Sequence, residues 1–385
     1  MFYEQHQGAG SWNVELLPNT PQRIRNLMRY DSGTGERGWF GHLIVTPCWV
    51  PSDSVTSAQL LAMSIYTGVY YGRSSAGSRL RGYGASTWLG TPDGMSDMTE
   101  AAGSFTKTVS NWINDHVLTS AGPSLNGITR GSITASATTY KRAVTLGQSR
   151  IEILQKVADR ADMQWRINHD LTLDVNTEAN LFATTPTVML DANSGGRDTN
   201  ITGMFALFDD DSDVEQFRTA EIVEADDGNP YGWTTAPPFY HAGGAVIIRE
   251  HYTVASNEDA TAGLTFAAIL LGRYDDPVGR RRFQVSVPDA YELRRFMEPG
   301  DSVYMNHPDL DLFDSANEVN YRGEPHHPVI VRLYGMTSPM REGFGYYFRD
   351  SNSAGTITDI TEYVRTEDGP ATLEVGAVRR SLRVL

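Results

Sequence analysis

Few side chains in this sequence have the type and spacing that nucleophilic catalysis requires. The single cysteine, Cys48, lies between Pro47 and Trp49, and the chain contains neither a GxSxG elbow nor an HExxH motif. No feature of the sequence around Cys48 indicates an activated thiol. We therefore interpret it as a packing residue at the end of a strand.

Adjacent histidines and two acidic runs are the candidates for metal binding. His326 and His327 lie between prolines, and neighbouring residues of an extended chain point in opposite directions, which does not suit a shared zinc ion. Closely spaced oxygen ligands, which suit calcium, occur twice. They are Asp209, Asp210, Asp211 and Asp213, and Asn306, Asp309, Asp311 and Asp314. Neither run matches an EF-hand, so we interpret both as solvated acidic turns.

Glycine spacing and paired carboxylates add no catalytic site. Gly82, Gly84 and Gly90 lack the GxxxxGK[ST] pattern of a phosphate-binding loop and are interpreted as turn residues. Two carboxylates for sugar cleavage could be distant in sequence, and 47 acidic residues nominate no particular pair. We expect a protein that is not an enzyme and has no catalytic, cofactor-binding or metal-binding residue.

Composition predicts a folded, acidic protein. The 385 residues include 32 Lys and Arg against 47 Asp and Glu, a net charge of −15, and 40% are hydrophobic. This length suggests about two to four domains. The negative charge opposes sequence-independent binding to a phosphate backbone. One cysteine allows no internal disulfide, and we expect neither an export signal nor a membrane span.

Arginine greatly outnumbers lysine. Only Lys107, Lys141 and Lys156 are lysines, which leaves 29 arginines. A GC-rich genome explains this bias. A second explanation, which stays open, is that guanidinium groups serve polar interfaces between subunits.

Periodicity predicts the elements of the first half. Residues 12–50 have the pattern of strands and turns, residues 54–70 and 98–117 that of helices, and residues 70–90 that of a turn-rich loop or two short strands. A strand pair is predicted within 127–147. The clearest segment is 149–175: a capping box at Ser149 and Glu152 begins an apolar helix, and a hairpin follows, with Trp165 on its first strand.

The second half is predicted to be rich in strands. Residues 185–255 have a β pattern with acidic or polar loops (DANSGGRDTN, FDDDSDVE and EADDGNPYGWTTAPP), and residues 258–273 have a helical pattern. Strands are predicted in VGRRRFQVSVPD, DSVYMNH, HPVIVRLYGMT and GYYFRDS. The fold class expected is α+β and β-rich.

Several stretches resemble the central tail hub, or minor tail protein, of long-tailed siphophages. They are RGYGASTWLGTPDG, RIEILQKVADRADMQWRINHDLTLDV, EDATAGLTFAAILLGRYDDPVGRRRFQVSV and, most specifically, residues 297–349. Such hubs are similar to the baseplate hub of contractile phages and to the base of type VI secretion spikes. The resemblance covers most of the chain from about residue 50 onward.

The resemblance implies two tail-tube-like β-barrel domains with smaller inserted α+β domains. The expected divisions are residues 1–52, the start of the first barrel; 53–180, a helix-hairpin layer; 181–257, a β-region with acidic loops; and 258–385, a helix and the closing barrel. It also implies a homotrimer that adapts the sixfold tail tube to a threefold tip. The expected partners are a distal tail protein or the tube above, and tip, spike or tape-measure proteins.

The implied role is structural. Genomic DNA would pass through the ring without specific binding, and the protein would be assembled in the host cytoplasm and reside at the tail tip of the virion. No needle or hydrolase segment is recognisable before Leu385. The alternatives are a peptidoglycan or glycan hydrolase of the tail tip and a carbohydrate-binding receptor module, the latter suggested by aromatic residues in NPYGWTTAPPFYHAGG.

Overall fold

The computed structural model describes part of the chain, in the following segments. The described residues are 2–5, 7–8, 10–15, 43–49, 68–73, 79–90, 103–118, 128–144, 148–184, 189–191, 204–213, 220–224, 230–234, 250–254, 260–274, 278–286, 298–306, 329–338, 344–350, 359–361 and 371–378.

Most of the described strands belong to one sheet of 13 strands. Its main path runs β12-β16-β21-β18-β1-β2-β5-β4-β3-β19-β20, and β17 joins β11 to β18. The first five strands are β1 Phe2–Gln5, β2 Ser11–Glu15, β3 Leu43–Trp49, β4 Gly68–Arg73 and β5 Arg79–Gly84. The others are β11 Met189–Asp191, β12 Met204–Asp213, β16 Val278–Ser286, β17 Ser302–Asn306, β18 Val329–Ser338, β19 Phe344–Asp350, β20 Asp359–Thr361 and β21 Ala371–Val378. Strands from both ends of the chain therefore pair in the same sheet.

A separate layer of helices and short strands follows β5. It contains a 3₁₀ turn at Ala85–Leu89 and the strands β6 Gly103–Thr108, β7 Thr129–Ile133, β8 Thr139–Val144, β9 Gln164–Ile167 and β10 Thr172–Asn176. Its helices are α1 Val109–Trp112, continued by a wider turn at Ile113–Val117, then α2 Arg150–Arg160 and α3 Glu178–Leu181. We call residues 103–118, 128–144 and 148–184 the helix-hairpin unit.

The largest described core lies in this unit. It joins the 3₁₀ turn to α1, α2 and the β9–β10 hairpin, and two of its three tryptophans, Trp112 and Trp165, are almost completely buried. The predicted stripe on α2 is confirmed, because Ile153, Leu154 and Val157 have at most 1% of their surface exposed. Burial of such side chains contributes roughly 1.5–3 kcal/mol each.

A three-stranded sheet with one helix forms a third described group. It contains β13 Ala220–Glu224, β14 Pro230–Thr234 and β15 Glu250–Val254, in the order β14-β13-β15. Helix α4, Ala260–Tyr274, packs against β13 and β14. In the part of the chain that the structure describes, no helix has the length and apolarity needed to cross a bilayer.

Several predicted elements need correction. The helix predicted at 98–117 is a strand over Gly103–Thr108 and becomes helical only from Val109. Phe105 packs on the same core as Trp112 although it lies in the strand, so the spacing of these apolar residues resembled one helical face. The helix predicted at 54–70 lies outside the described residues except for 68–70, which begin β4. The strands predicted within 127–147 exist, but they do not pair with each other: β7 pairs with β10 and β8 with β6.

The other predicted elements are largely confirmed. Two short strands, β4 and β5, occupy the glycine-rich stretch at 70–90, and β2 and β3 lie within 12–50. Helix α4 and strands β16 to β19 occur where the second half predicted them. Parts of two predicted loops are strands instead, because FDDDSD ends β12 and PYGWT is β14.

Candidate functional site

The structure describes only some of the residues with candidate chemistry. Cys48 lies in β3, opposite Gly345 of β19, as its predicted strand-end position requires. His326 and His327 lie outside the described residues, as do Asp309, Asp311 and Asp314, whereas Asn306 ends β17. Among the described residues, no group of three His, Cys, Asp or Glu side chains is close enough to hold a metal ion.

The acidic run at 209–213 is not a loop, which corrects the sequence interpretation. It forms the end of β12, antiparallel to β16, and the register places Asp209, Asp210 and Asp211 opposite Arg282, Arg281 and Arg280 in that order. A shift in register between Leu207 and Asp209 produces this alignment, because one residue of β12 is left without a partner there. Cross-strand positions of opposite charge stabilise a sheet, so the run is better explained by strand pairing than by a cation.

The glycine-rich stretch ends in a backbone position that fits against the start of α2. Gly90 follows the 3₁₀ turn with a φ of 140°, a conformation that side-chain-bearing residues rarely adopt. A Cβ at Gly90 would lie 2.7 Å from Cβ of Ser149. Gly82 and Gly84 lie within β5 instead. Gly90 therefore permits close packing, in line with a structural interpretation of these glycines.

Helix α2 begins at the predicted cap. The hydroxyl of Ser149 accepts a hydrogen bond from the amide of Glu152 at 3.3 Å, which satisfies one of the amides left open at a helix start. Gln155 then links the helix to the hairpin, because its side-chain oxygen accepts from the indole of Trp165 at 3.0 Å. The indole of Trp112 donates to the carbonyl of Tyr140 at 2.9 Å. The indole groups of Trp112 and Trp165 thus both have hydrogen-bond partners.

Asp174 connects the hairpin to β7. Its carboxylate is 8% exposed and accepts from the amide of Ser132 at 2.6 Å and from the side-chain amide of Asn168 at 2.8 Å, and Arg166 Nε lies 3.5 Å away. The β7–β10 register shifts at this point, so that Gly131 and Ser132 both lie beside Asp174. The carboxylate occupies the space that a side chain at residue 131 would need.

The turn of the hairpin is stabilised by a second aspartate. Asp170 accepts from the amide of Thr172 at 3.0 Å and from its hydroxyl at 2.7 Å. Burial acts to raise the pKa of Asp170, but these hydrogen bonds and the charge of His169 outweigh it, and the pKa is lowered. Leu171 follows with a φ of 68° and is buried. The turn therefore has a defined shape that anchors an apolar side chain.

A junction joins the helix-hairpin unit to the large sheet. Arg166 forms an ion pair with Glu298 and donates to the carbonyl of Leu181 at 2.9 Å. Asp301 accepts from the amides of Ala183 and Glu298, both at 2.8 Å, and its own carbonyl accepts from Leu333 of β18 at 2.9 Å. These bonds fix the end of α3 relative to β17 and β18. Sequence inspection missed this junction because its residues are more than 100 positions apart.

Two arginines brace the seam between α2 and β8 from opposite sides. Arg160 of α2 donates to the carbonyl of Lys141 in β8 at 2.7 Å, and Arg142 of β8 donates to the carbonyl of Ile153 in α2 at 3.4 Å. Both side chains are more than 90% buried. Burial and the like charge of Arg160 lower the pKa of Arg142 to about 10, although the negative charge of Glu152 acts in the opposite direction.

The three-stranded sheet contains a buried glutamate paired with an exposed histidine. Glu221 of β13 is completely buried, and both its oxygens lie 3.0 to 3.1 Å from Nδ1 of His251, which occupies the neighbouring position on β15. On the same strands, the hydroxyl of Tyr252 donates to Glu224, and the Tyr252 ring is 52% exposed. A carboxylate that orients an imidazole is the arrangement found in two of the three members of a catalytic triad.

Comparison of whole folds gives similarity to tail proteins. The 43 kDa tail protein of prophage MuSo2 from Shewanella oneidensis has a TM-score of 0.51 and 8% identity, with coverage of 98% of this chain and 92% of that chain. The tail protein from Neisseria meningitidis MC58 has a TM-score of 0.49 and 13% identity, with coverage of 89% of this chain and 94% of that chain. Prophage tail protein gp18 from Listeria monocytogenes EGD-e has a TM-score of 0.46 and 13% identity, with coverage of 97% of this chain and 86% of that chain. No protein-family model and no curated protein sequence matches the chain. At 8% identity, the similarity to the MuSo2 protein concerns the fold.

Proposed function

We propose that this chain is a structural protein of a phage tail. The observation that carries the proposal is the fold shared with the MuSo2 43 kDa tail protein along nearly the whole of both chains. The sequence resemblance of residues 150–175 and 297–349 to siphophage tail hubs supports the same role independently of the fold. The protein's place would then be the virion.

The specific role we propose is a trimeric hub at the distal end of the tail tube. Three copies would close a ring through a repeated heterologous interface, adapt the sixfold tube to a threefold tip, and leave a channel for DNA. Two tube-like β-barrel domains are part of this proposal, with the helix-hairpin unit inserted between them. The distal tail protein or tube above and the tip or tape-measure proteins below would be its neighbours.

Particle imaging tests this role. Purified tails labelled with an antibody against this chain, and then imaged by cryo-electron microscopy, should carry the label at the distal end and display threefold density there. Native mass spectrometry of the hub released from tails should give three copies. Label along the whole tube, absence of the chain from tails, or a twofold-symmetric dimer in the particle would contradict the proposal.

The proposal assigns no catalysis to the chain, and zymography on peptidoglycan tests this point. The residue pair to substitute is Glu221 and His251, since Glu221 is buried beside the imidazole. Clearing by the purified wild type that is lost in a soluble Glu221→Gln variant would favour a hydrolase. We expect no clearing by either protein.

Carbohydrate binding is the second candidate, favoured by the exposed ring of Tyr252. An aromatic ring can stack on a sugar, and a carboxylate beside it can accept hydrogen bonds from the sugar hydroxyls. Glycan-array binding that is lost in Tyr252→Ala, but retained in Leu264→Ala at a second exposed apolar residue, would support this candidate.

A further inference from the structure

Strand β1 occupies a bridging position in the large sheet. It forms four residue pairs with β18, from Phe2 opposite Ser338 to Gln5 opposite Gly335, and two pairs with β2, at Phe2 and Tyr3. Among the described strands, every hydrogen-bonded path from one side of the sheet to the other passes through β1. Loss of this one short strand would therefore divide the described sheet in two.

The two sides of β1 contain six described strands each. We call β2, β3, β4, β5, β19 and β20 the β2 group, and β11, β12, β16, β17, β18 and β21 the β18 group. Sheets usually have about 4–6 strands, and open sheets of more than about ten strands usually curl or split. Each group also has buried apolar side chains of its own, namely Trp12 in the first and Val303 and Leu333 in the second. The large sheet is thus two sheets of ordinary size that β1 joins.

Contacts outside the strands decide which side of β1 can open. The turn after β1 is fastened, because the Gln7 side chain donates to Gln164 of the helix-hairpin unit and the Gly8 carbonyl accepts from the hydroxyl of Ser86 at 3.2 Å. This turn leads directly into β2, so β1 stays with the β2 group, and its pairing with β18 is the one that can open. The junction at Asp301, which attaches the β18 group to the helix-hairpin unit, and the five-residue connection from β18 to β19 would continue to hold the two groups together.

We propose that β1 is a strap, and that its release from β18 lets the two groups open about the junction while each group stays folded. The junction is suited to act as the pivot, because the Asp301 carboxylate accepts from the backbone amide of Ala183 on one side and the Asp301 carbonyl accepts from Leu333 of β18 on the other. Segments with few backbone bonds open at the lowest free energy in a folded protein, and a four-residue strand meets this condition. The inference concerns pairing within one copy and is independent of the proposed tail role.

A proline substitution releases the strap. Tyr3 pairs with both neighbouring strands, and Tyr3→Pro removes its backbone donor, whichever strand that donor serves. Pulsed electron spin resonance then measures the distance between spin labels at Arg81→Cys of β5 and Ser302→Cys of β17, in a Cys48→Ser background that removes the single cysteine. We expect one narrow distance distribution when Tyr3 is intact, and a longer and broader distribution in Tyr3→Pro.

Ile360→Pro is the matched control. Ile360 is the middle residue of β20, which pairs with β19 and ends the path of the described sheet. Proline there should speed hydrogen exchange in β19 but leave the distance between the labels unchanged. Equal broadening in the two variants, or an unchanged distance in Tyr3→Pro protein whose β18 amides have lost protection, would overturn the proposal. Tyr3→Pro protein in which both groups unfold together would also overturn it.

A disulfide that locks the strap gives an independent readout. Tyr3 and Thr337 are directly opposite in an antiparallel pair, where Cα atoms are about 4.5–5.5 Å apart, a separation that a disulfide can span. In protein with Tyr3→Cys, Thr337→Cys and Cys48→Ser, oxidation should slow hydrogen exchange at residues 335–338 by about tenfold or more and leave β4 and β5 unchanged. The control lock, Gln284→Cys with Thr372→Cys in the same background, joins β16 to β21 within the β18 group and should not slow exchange in β1. No slowing in β18 by the first lock, or equal slowing throughout both groups, would overturn the proposal.

Discussion

Substitution of Gly131 by alanine tests the packing of β7 against the hairpin. A Cβ at this position would overlap Oδ1 of Asp174 and lie 3.0 Å from the backbone carbonyl oxygen of Leu173. The carbonyl cannot move without shifting β10, so the Asp174 carboxylate must rotate away. That rotation breaks its hydrogen bond with the amide of Ser132, which is now 2.6 Å long.

The expected magnitude follows from these contacts. Loss of a hydrogen bond to a charged group costs about 1.5–3 kcal/mol, and overpacking adds about 1–3 kcal/mol. Alanine recovers about 0.4–1 kcal/mol by restricting the unfolded chain. We therefore expect Gly131→Ala to lower the free energy of unfolding of the helix-hairpin unit by about 1.5–5.5 kcal/mol.

Urea unfolding monitored by tryptophan fluorescence, together with amide hydrogen exchange of β7, measures this effect. Gly103→Ala is the matched control, because a Cβ there meets only the far end of the Phe105 ring, at 2.8 Å, and that ring can turn. Gly131→Ala should add little on an Asp174→Ala background, since the carboxylate that it displaces is then absent. Equal unfolding free energies for Gly131→Ala and Gly103→Ala would refute the reasoning.

Three further substitutions test other parts of the structure. Leu154→Asp should abolish soluble expression, because it places an unpaired charge in the core at a cost of several kcal/mol. The control, Lys156→Asp at an exposed position of the same helix, should stay soluble. A Leu154→Asp protein that melts like the wild type would contradict the packing of α2. Asp301→Ala should speed hydrogen exchange at the backbone amides of Ala183 and Glu298, whose hydrogen bonds it removes, and should destabilise the junction by about 2–3 kcal/mol. Unchanged exchange at these amides would contradict the junction. Arg281→Asp should lower the protection of β12 amides from hydrogen exchange by about 0.2–1 kcal/mol, because it places a like charge opposite Asp210. Adding Asp210→Arg should restore the protection. No recovery in the double variant would contradict the register of β12 and β16.

Local patterns predicted the elements whose contacts are close in sequence. The Ser149 cap, the α2 stripe and the hairpin carrying Trp165 were all readable, because capping, helical period and strand alternation act within a few residues. The same reasoning failed at Phe105. Its spacing to Trp112 matches a helical period, but it is a strand residue whose burial comes from tertiary packing.

Long-range partners left no comparable signal. Strand β7 follows a β pattern, yet its partner is β10, about 40 residues later and parallel, and the sequence contains nothing that selects this partner over β8. Asp174 and Asp301 look like ordinary surface acids in the sequence. Only the fold brings Ser132 to the first and Ala183 to the second.

Alignment of the acidic run with β16 changes where the negative charge of the protein must lie. The three aspartates at 209–211 stand opposite the three arginines at 280–282, so this pair of strands has no net charge there, although the chain as a whole carries −15. The helix-hairpin unit, at +1, does not hold the excess either. If three copies form the proposed channel, their net charge is −45 in total, and an acidic or neutral lining should come from other segments. Asp226 and Asp227, which lie outside the described residues, are the first to examine. Such a lining would let phosphates slide through, because little counterion release would accompany contact. A continuous arginine-lined channel in the particle, or tight salt-sensitive duplex binding by the purified protein, would contradict this prediction.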